Sequence, residues 1–136
     1  MASKHAEPTP IRPNPPFKVG LIGVTGYGYD YFKCLSKLVE QGRIEWGAVT
    51  IVNPDEAREQ IQIFESLGVP IYADYWQMLK MESRALDWVC IPTGIGFHKQ
   101  MAVDCLKLGL QTLVEKPLAP VLQEVEAIQD AEREAN

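Results

Sequence analysis

Leu113-Val114-Glu115-Lys116-Pro117 sets a carboxylate and an ammonium side by side at the end of a short apolar run, and a proline fixes the backbone directly after them. A lysine so placed can give or take a proton when its ammonium is partly desolvated. The plainer alternative is a solvated loop lysine paired with Glu115. A second stretch, Gly23-Val24-Thr25-Gly26-Tyr27-Gly28, joins an apolar run to a helical pattern. A helix N-terminus reached through glycines offers a phosphate its unpaired N–H groups and the positive end of its dipole. Taken as GxGxxG, the three positions are Gly23, Thr25 and Gly28, so threonine stands where the backbone should come nearest a ligand; Gly26 compensates if the turn adopts a GxxG register. The alternative is a strand-to-helix turn that needs glycine only for geometry. The third stretch is Thr93-Gly94-Ile95-Gly96-Phe97-His98. Its histidine begins an apolar helical stripe, so local hydrogen bonding is its simpler role.

These residues need elements to position them. Apolar runs at 18–22, 44–52, 69–72, 86–91 and 111–114 predict five strands. Helical spacing between them predicts Tyr31, Cys34, Leu35 and Leu38 on one face of a first helix stopped by Gly42, and Ala57, Ile61 and Phe64 on one face of a second over 55–67. Asp74 is a candidate cap for a third helix carrying Trp76 and Leu79. The fourth carries His98, Met101, Ala102 and Cys105 on one face. A last helix, over 120–134, turns Val121, Val125 and Ile128 inward. Strands that are apolar throughout belong in a parallel sheet covered on both faces, and right-handed crossovers make it a doubly wound α/β fold. With strand order 3-2-1-4-5, all three chemical stretches border one crevice at the carboxyl ends of the strands, where such sheets bind ligands. Asn53 ends the second strand, where an acidic residue usually holds the ribose of NAD; asparagine can bond a hydroxyl without repelling a 2′-phosphate, and Arg58 either pairs with such a phosphate or faces solvent. NAD and NADP are not distinguished.

Composition narrows the class. The chain has 136 residues, 46% of them hydrophobic, and a net charge of −5, which argues against non-specific nucleic-acid binding. It has no apolar run long enough to span a bilayer and no secretory signal, so no membrane partner is expected. Cys34, Cys90 and Cys105 form no CxxC pair and read as reduced, buried thiols of a cytoplasmic protein. Two histidines at distant positions supply no metal-ligand spacing, so no metal is expected. Pro8, Pro10, Pro13, Pro15 and Pro16 mark residues 1–16 as a proline-rich leader, with the globular domain over 17–136.

The glycine turn, the Thr93–His98 run and Glu115-Lys116-Pro117-Leu118-Ala119, in that order, resemble the Gfo/Idh/MocA family of NAD(P)-dependent oxidoreductases over residues 17–136. The resemblance implies a Rossmann domain whose cofactor contacts come from Gly23, Val24, Thr25, Gly26, Tyr27, Gly28, Asn53, Thr93, Gly94, His98, Glu115, Lys116 and Pro117. It implies a catalytic role for Lys116 near the nicotinamide, with Glu115 positioning it and Pro117 fixing the turn. The substrate would be a sugar- or cyclitol-like alcohol or ketone. Thr25, Gly94 and Asn53 depart from the family's usual glycine, proline and acidic residue. A sixth strand and a substrate-binding second domain, which members carry, are expected to lie outside this chain. The exposed sheet edge this leaves predicts self-association or a homo-oligomer. The alternative function is a non-catalytic Rossmann module that senses a nucleotide or binds another protein.

Overall fold

The strands fall on the apolar runs, and each is followed by a helix that returns the chain to start the next strand in the same direction. The computed structural model describes residues 16–136; all of the proposed leader but Pro16 lies outside them. In chain order the elements are β1 (Phe17–Ile22), α1 (Tyr27–Glu40), β2 (Ile44–Thr50), a single 3-10 turn (Pro54–Glu56), α2 (Arg58–Ser66), β3 (Ile71–Tyr72), α3 (Tyr75–Glu82), β4 (Trp88–Ile91), α4 (Ile95–Lys107), β5 (Gln111–Val114) and α5 (Leu122–Ala135). The strands form one parallel sheet in the order β3-β2-β1-β4-β5. This is the doubly wound, Rossmann-like fold the sequence predicts.

Side chains alternate across β1, and both faces are covered, as a parallel sheet requires. Val19 and Leu21 join Phe32, Leu35, Val49 and Phe64 in one core, under α1 and α2. Ile22 joins Met78, Leu79, Val89, Met101 and Cys105 in the other, under α3 and α4. Helix α5 packs on α4 and contributes Ile128. Phe32 and Trp46 both meet Phe64 edge-on, with ring centroids 5.5 and 5.0 Å away, a favoured aromatic geometry.

Several elements differ in extent from the sequence reading, each for a local reason. The second helix breaks into the 3-10 turn and α2, because Pro54 begins the turn and Ala57 leaves helical geometry at φ −121° to bury its methyl group. Strand β3 is two residues long, since Pro70 has no N–H to give the ladder. Strand β4 starts late. Ahead of it the Asp87 carboxylate accepts the Lys18 N–H at 2.7 Å while Asp87 N–H donates to the Lys18 carbonyl at 2.8 Å. Strand β5 is the edge and leaves Gln111 and Leu113 exposed.

Two inward faces are corrected. Helix α1 buries Gly28, Phe32 and Leu35, while Cys34 is exposed, so Cys34 is not a buried thiol. Burial pushes the Cys90 and Cys105 thiols up to about 12, which keeps both protonated and unreactive. Val121 is exposed because α5 begins only after it; Ile128 and Ala131 form its buried face. The Asp74 cap holds, accepting the Gln77 N–H at 2.9 Å, but Trp76 points outward beside the buried Met78 and Leu79.

Phe64 is fully buried at the centre of the first core. Phe64→Ala is expected to cost about 3–5 kcal/mol in urea-monitored unfolding.

Candidate functional site

The carboxyl ends of β1, β2, β4 and β5 open onto a cleft of about 800 Å³. It is lined by Gly23, Val24, Thr25, Gly26, Tyr27, Asn53, Thr93, Gly94, His98, Glu115, Lys116 and Pro117, together with Ile51, Val52, Pro92 and Ile95. The topology therefore gathers twelve of the thirteen residues singled out from sequence at one place. The exception is Gly28, which lies behind the lining: a Cβ there would collide with the Gly23 carbonyl. Its absence of a side chain lets α1 approach β1. Gly23 and Gly26 take positive φ values of 93° and 57°, the region that favours glycine. Gly26 directly precedes α1, and a Cβ placed on it would meet nothing within 4 Å, so its outer face is open to the cleft. Thr25 thus takes the middle position without supplying the left-handed residue; Gly26 does. Asp30 in the first turn of α1 is paired with Lys33 at 2.9 Å on the surface.

The far wall is held by His98, which is 1% exposed. Its Nε2 lies 2.8 Å from the Thr93 carbonyl, and its Nδ1 lies 3.0 Å and 3.2 Å from the Pro117 and Leu118 carbonyls. One ring therefore ties the loop after β4 to the loop after β5. With both nitrogens against backbone oxygens, His98 faces the cleft as a brace, in keeping with the local role expected of it. Beyond it, the Lys116–Pro117 peptide is cis. The Glu115 carboxylate accepts the Lys116 backbone N–H at 2.9 Å, and the Glu115 N–H donates to the Ile91 carbonyl at 3.2 Å. Glu115 thus anchors the turn through the main chain rather than through an ion pair with its neighbour's ammonium. The Lys116 side chain is exposed, so the partial burial its proton chemistry calls for is not provided by the described residues. Among those residues no group of three His, Cys, Asp or Glu side chains could hold a metal ion, and no helix is long and apolar enough to cross a membrane.

Residues 17–136 match the family model of the Gfo/Idh/MocA oxidoreductases, described as an oxidoreductase family with an NAD-binding Rossmann fold. The chain belongs to this family. Among curated proteins it is similar to inositol 2-dehydrogenase 2 of Saccharopolyspora erythraea, with 25% identity over 114 residues, covering 84% of this chain and 32% of that protein. Among solved structures it is similar to the WlbA dehydrogenase of Chromobacterium violaceum in complex with NADH and UDP-GlcNAcA, with a TM-score of 0.78 at 22% identity, covering 93% of this chain and 34% of that one. It is also similar to KijD10, a 3-ketoreductase of Actinomadura kijaniata in complex with NADP and TDP-benzene, with a TM-score of 0.71 at 24% identity, covering 89% and 35%. The chain spans about a third of the length of these relatives.

Two residues beside this cleft carry no signal in the sequence pattern. Gln60 on α2 reads as a solvated glutamine, yet it is 6% exposed and its Nε2 donates to the Val24 carbonyl at 3.2 Å, tying α2 to the glycine turn. Tyr31 reads as one more apolar residue of α1. Burial first, and then the charge of the nearby Glu115 carboxylate, push the Tyr31 hydroxyl up to about 12. Tyr31 on the glycine-turn helix therefore senses the carboxylate that anchors the Lys116 turn.

His98→Leu keeps the volume but removes the ring N–H that one of the two loops' carbonyls accepts, and it is expected to destabilise the fold by about 1–3 kcal/mol in urea. Tyr31 is raised above its unfolded value of 10.0, so its contribution to stability is complete below pH 10 and lost as pH climbs through about 12. Unfolding measured across that window should show Tyr31→Phe losing less stability with rising pH than the unaltered chain.

Proposed function

We propose that this chain is the cofactor-binding part of an NAD(P)-dependent oxidoreductase acting on a sugar- or cyclitol-like alcohol or ketone. The observation that carries the reading is the meeting of the glycine turn and the Glu115-Lys116-Pro117 turn across one cleft. A nicotinamide dinucleotide fits the residues present, because the start of α1 is reached through Gly26, whose outer face is open. The backbone of Gly23 to Gly26 and the first turn of α1 would hold the diphosphate. Asn53 would hydrogen-bond the adenosine ribose. Thr93 and Gly94 would border the nicotinamide half, and His98 would keep that wall in place. When bound, the cofactor supplies hydride exchange. This chain's share is to orient the substrate oxygen and to give or take its proton at Lys116 Nζ.

The substrate class rests on the relatives, which are named for inositol and crystallised with a sugar nucleotide. In this reading residues 17–136 form one Rossmann domain, and a substrate-binding domain of the longer protein would cover Lys116 and supply the desolvation it lacks here. The open edge of β5 is where a further strand, or a second copy, would attach. The non-catalytic alternative gains no support from the loop tyrosines. Tyr27 is 73% exposed, and Tyr29 lies outside the main cleft, against Phe32.

Titrating the chain with NADH and with NADPH should give saturable enhancement of cofactor fluorescence for at least one of them; well-folded protein that binds neither would remove the cofactor role. In the longer protein, Lys116→Ala is expected to lower turnover about 10²-fold or more with little change in cofactor affinity. Unchanged turnover would remove the catalytic role of Lys116.

A further inference from the structure

Resting on the cofactor reading above, we propose that Glu56 and Glu59, rather than Asn53 in the loop after β2, make the adenosine site select NAD(H) over NADP(H). The two cofactors differ by a phosphate on the 2′ oxygen of that ribose, which sits beside the end of the second strand of a Rossmann sheet. There Asn53 is uncharged and repels nothing. The next residues are not neutral. A pocket of about 580 Å³ continues outward from the main cleft, sharing Thr25 and Gly26 with it. Its opposite wall is the 3-10 turn and the first turn of α2, which bring Asp55, Glu56 and Glu59 to the lining. The cation available there is Arg58, and its guanidinium is 3.2 Å from the Asp55 carboxylate. The space a 2′-phosphate would enter is therefore walled by three carboxylates against one guanidinium that is already paired. The positive end of the α2 dipole, which would otherwise welcome a phosphate, has Glu59 in its first turn. A ribose bearing a free 2′-hydroxyl meets none of this repulsion and keeps Asn53 as a partner.

All these charged groups are exposed, so the repulsion is a screened surface effect, and salt should weaken it. NADH is expected to bind about tenfold or more tighter than NADPH at low ionic strength, from like charges a few ångströms apart in water, and the ratio should shrink as salt rises. The test is fluorescence titration of the full chain with each cofactor at low and high salt, repeated with the double variant Glu56→Gln/Glu59→Gln and with Asp55→Asn, which frees Arg58. Circular dichroism would check that each variant is folded. The proposal expects the NADH-to-NADPH affinity ratio to fall in both variants, mainly through tighter NADPH binding. A chain that binds NADPH as tightly as NADH, or a preference for NADH that neither variant nor salt changes, overturns it and leaves the cofactor role standing. Binding of neither cofactor overturns the role and this proposal together.

Discussion

Helix α1 lies against β1 at a distance set by Gly28, whose missing side chain leaves room only for the Gly23 carbonyl. Much else follows from that contact. It fixes how α1 is rotated, and so which of its residues reach the core: Phe32 and Leu35 do, one and two turns on from Gly28, and Cys34 does not. It also brings the start of the helix to the end of the strand at the cleft, where the Gly28 and Tyr29 N–H groups close the turn on the Thr25 and Gly26 carbonyls at 2.9 and 3.1 Å. The left-handed residues Gly23 and Gly26 are the price of making that junction so short.

A parallel sheet brings every strand out at the same edge, but it leaves the loops there free to sit at any height. Here they are tied together by buried polar side chains. His98 joins the loops after β4 and β5, and Gln60 joins α2 to the glycine turn. Glu115 anchors the backbone of Lys116, and the half-buried Tyr31 hydroxyl of α1 feels its charge. The cleft walls are thus built from backbone groups whose partners are side chains on other elements, the condition under which a polar site can be both buried and ordered. Lys116 stands outside this network, on a well-held turn with its side chain in solvent.

The sheet order and the inward face of α4 were legible because they depend on pattern alone. His98, Met101, Ala102 and Cys105 repeat at helical spacing, and all four are buried. The chemistry-bearing stretches were legible for the same reason, since each sits where an apolar run stops. What the pattern could not carry was rotation and polarity. Tyr31, Cys34, Leu35 and Leu38 form as good a stripe on paper as Gly28, Phe32 and Leu35, and only the close approach at Gly28 chooses between them. Gln60 looks like any surface glutamine until α2 docks and presents it to the Val24 carbonyl. The exposure of Lys116 on its turn is likewise invisible in the apolar run that precedes it.

The sheet also divides the interior into two cores with no buried side chain in common, one beneath α1 and α2 and one beneath α3 and α4. Energetically these are separate compartments. Substitutions placed one in each should change stability by amounts that simply add, because distant sites without shared partners rarely influence one another. The exception is the cleft, where the glycine turn from one compartment meets the His98 brace from the other. Non-additivity between the two faces of this sheet would therefore serve as a map of the site, drawn without any ligand.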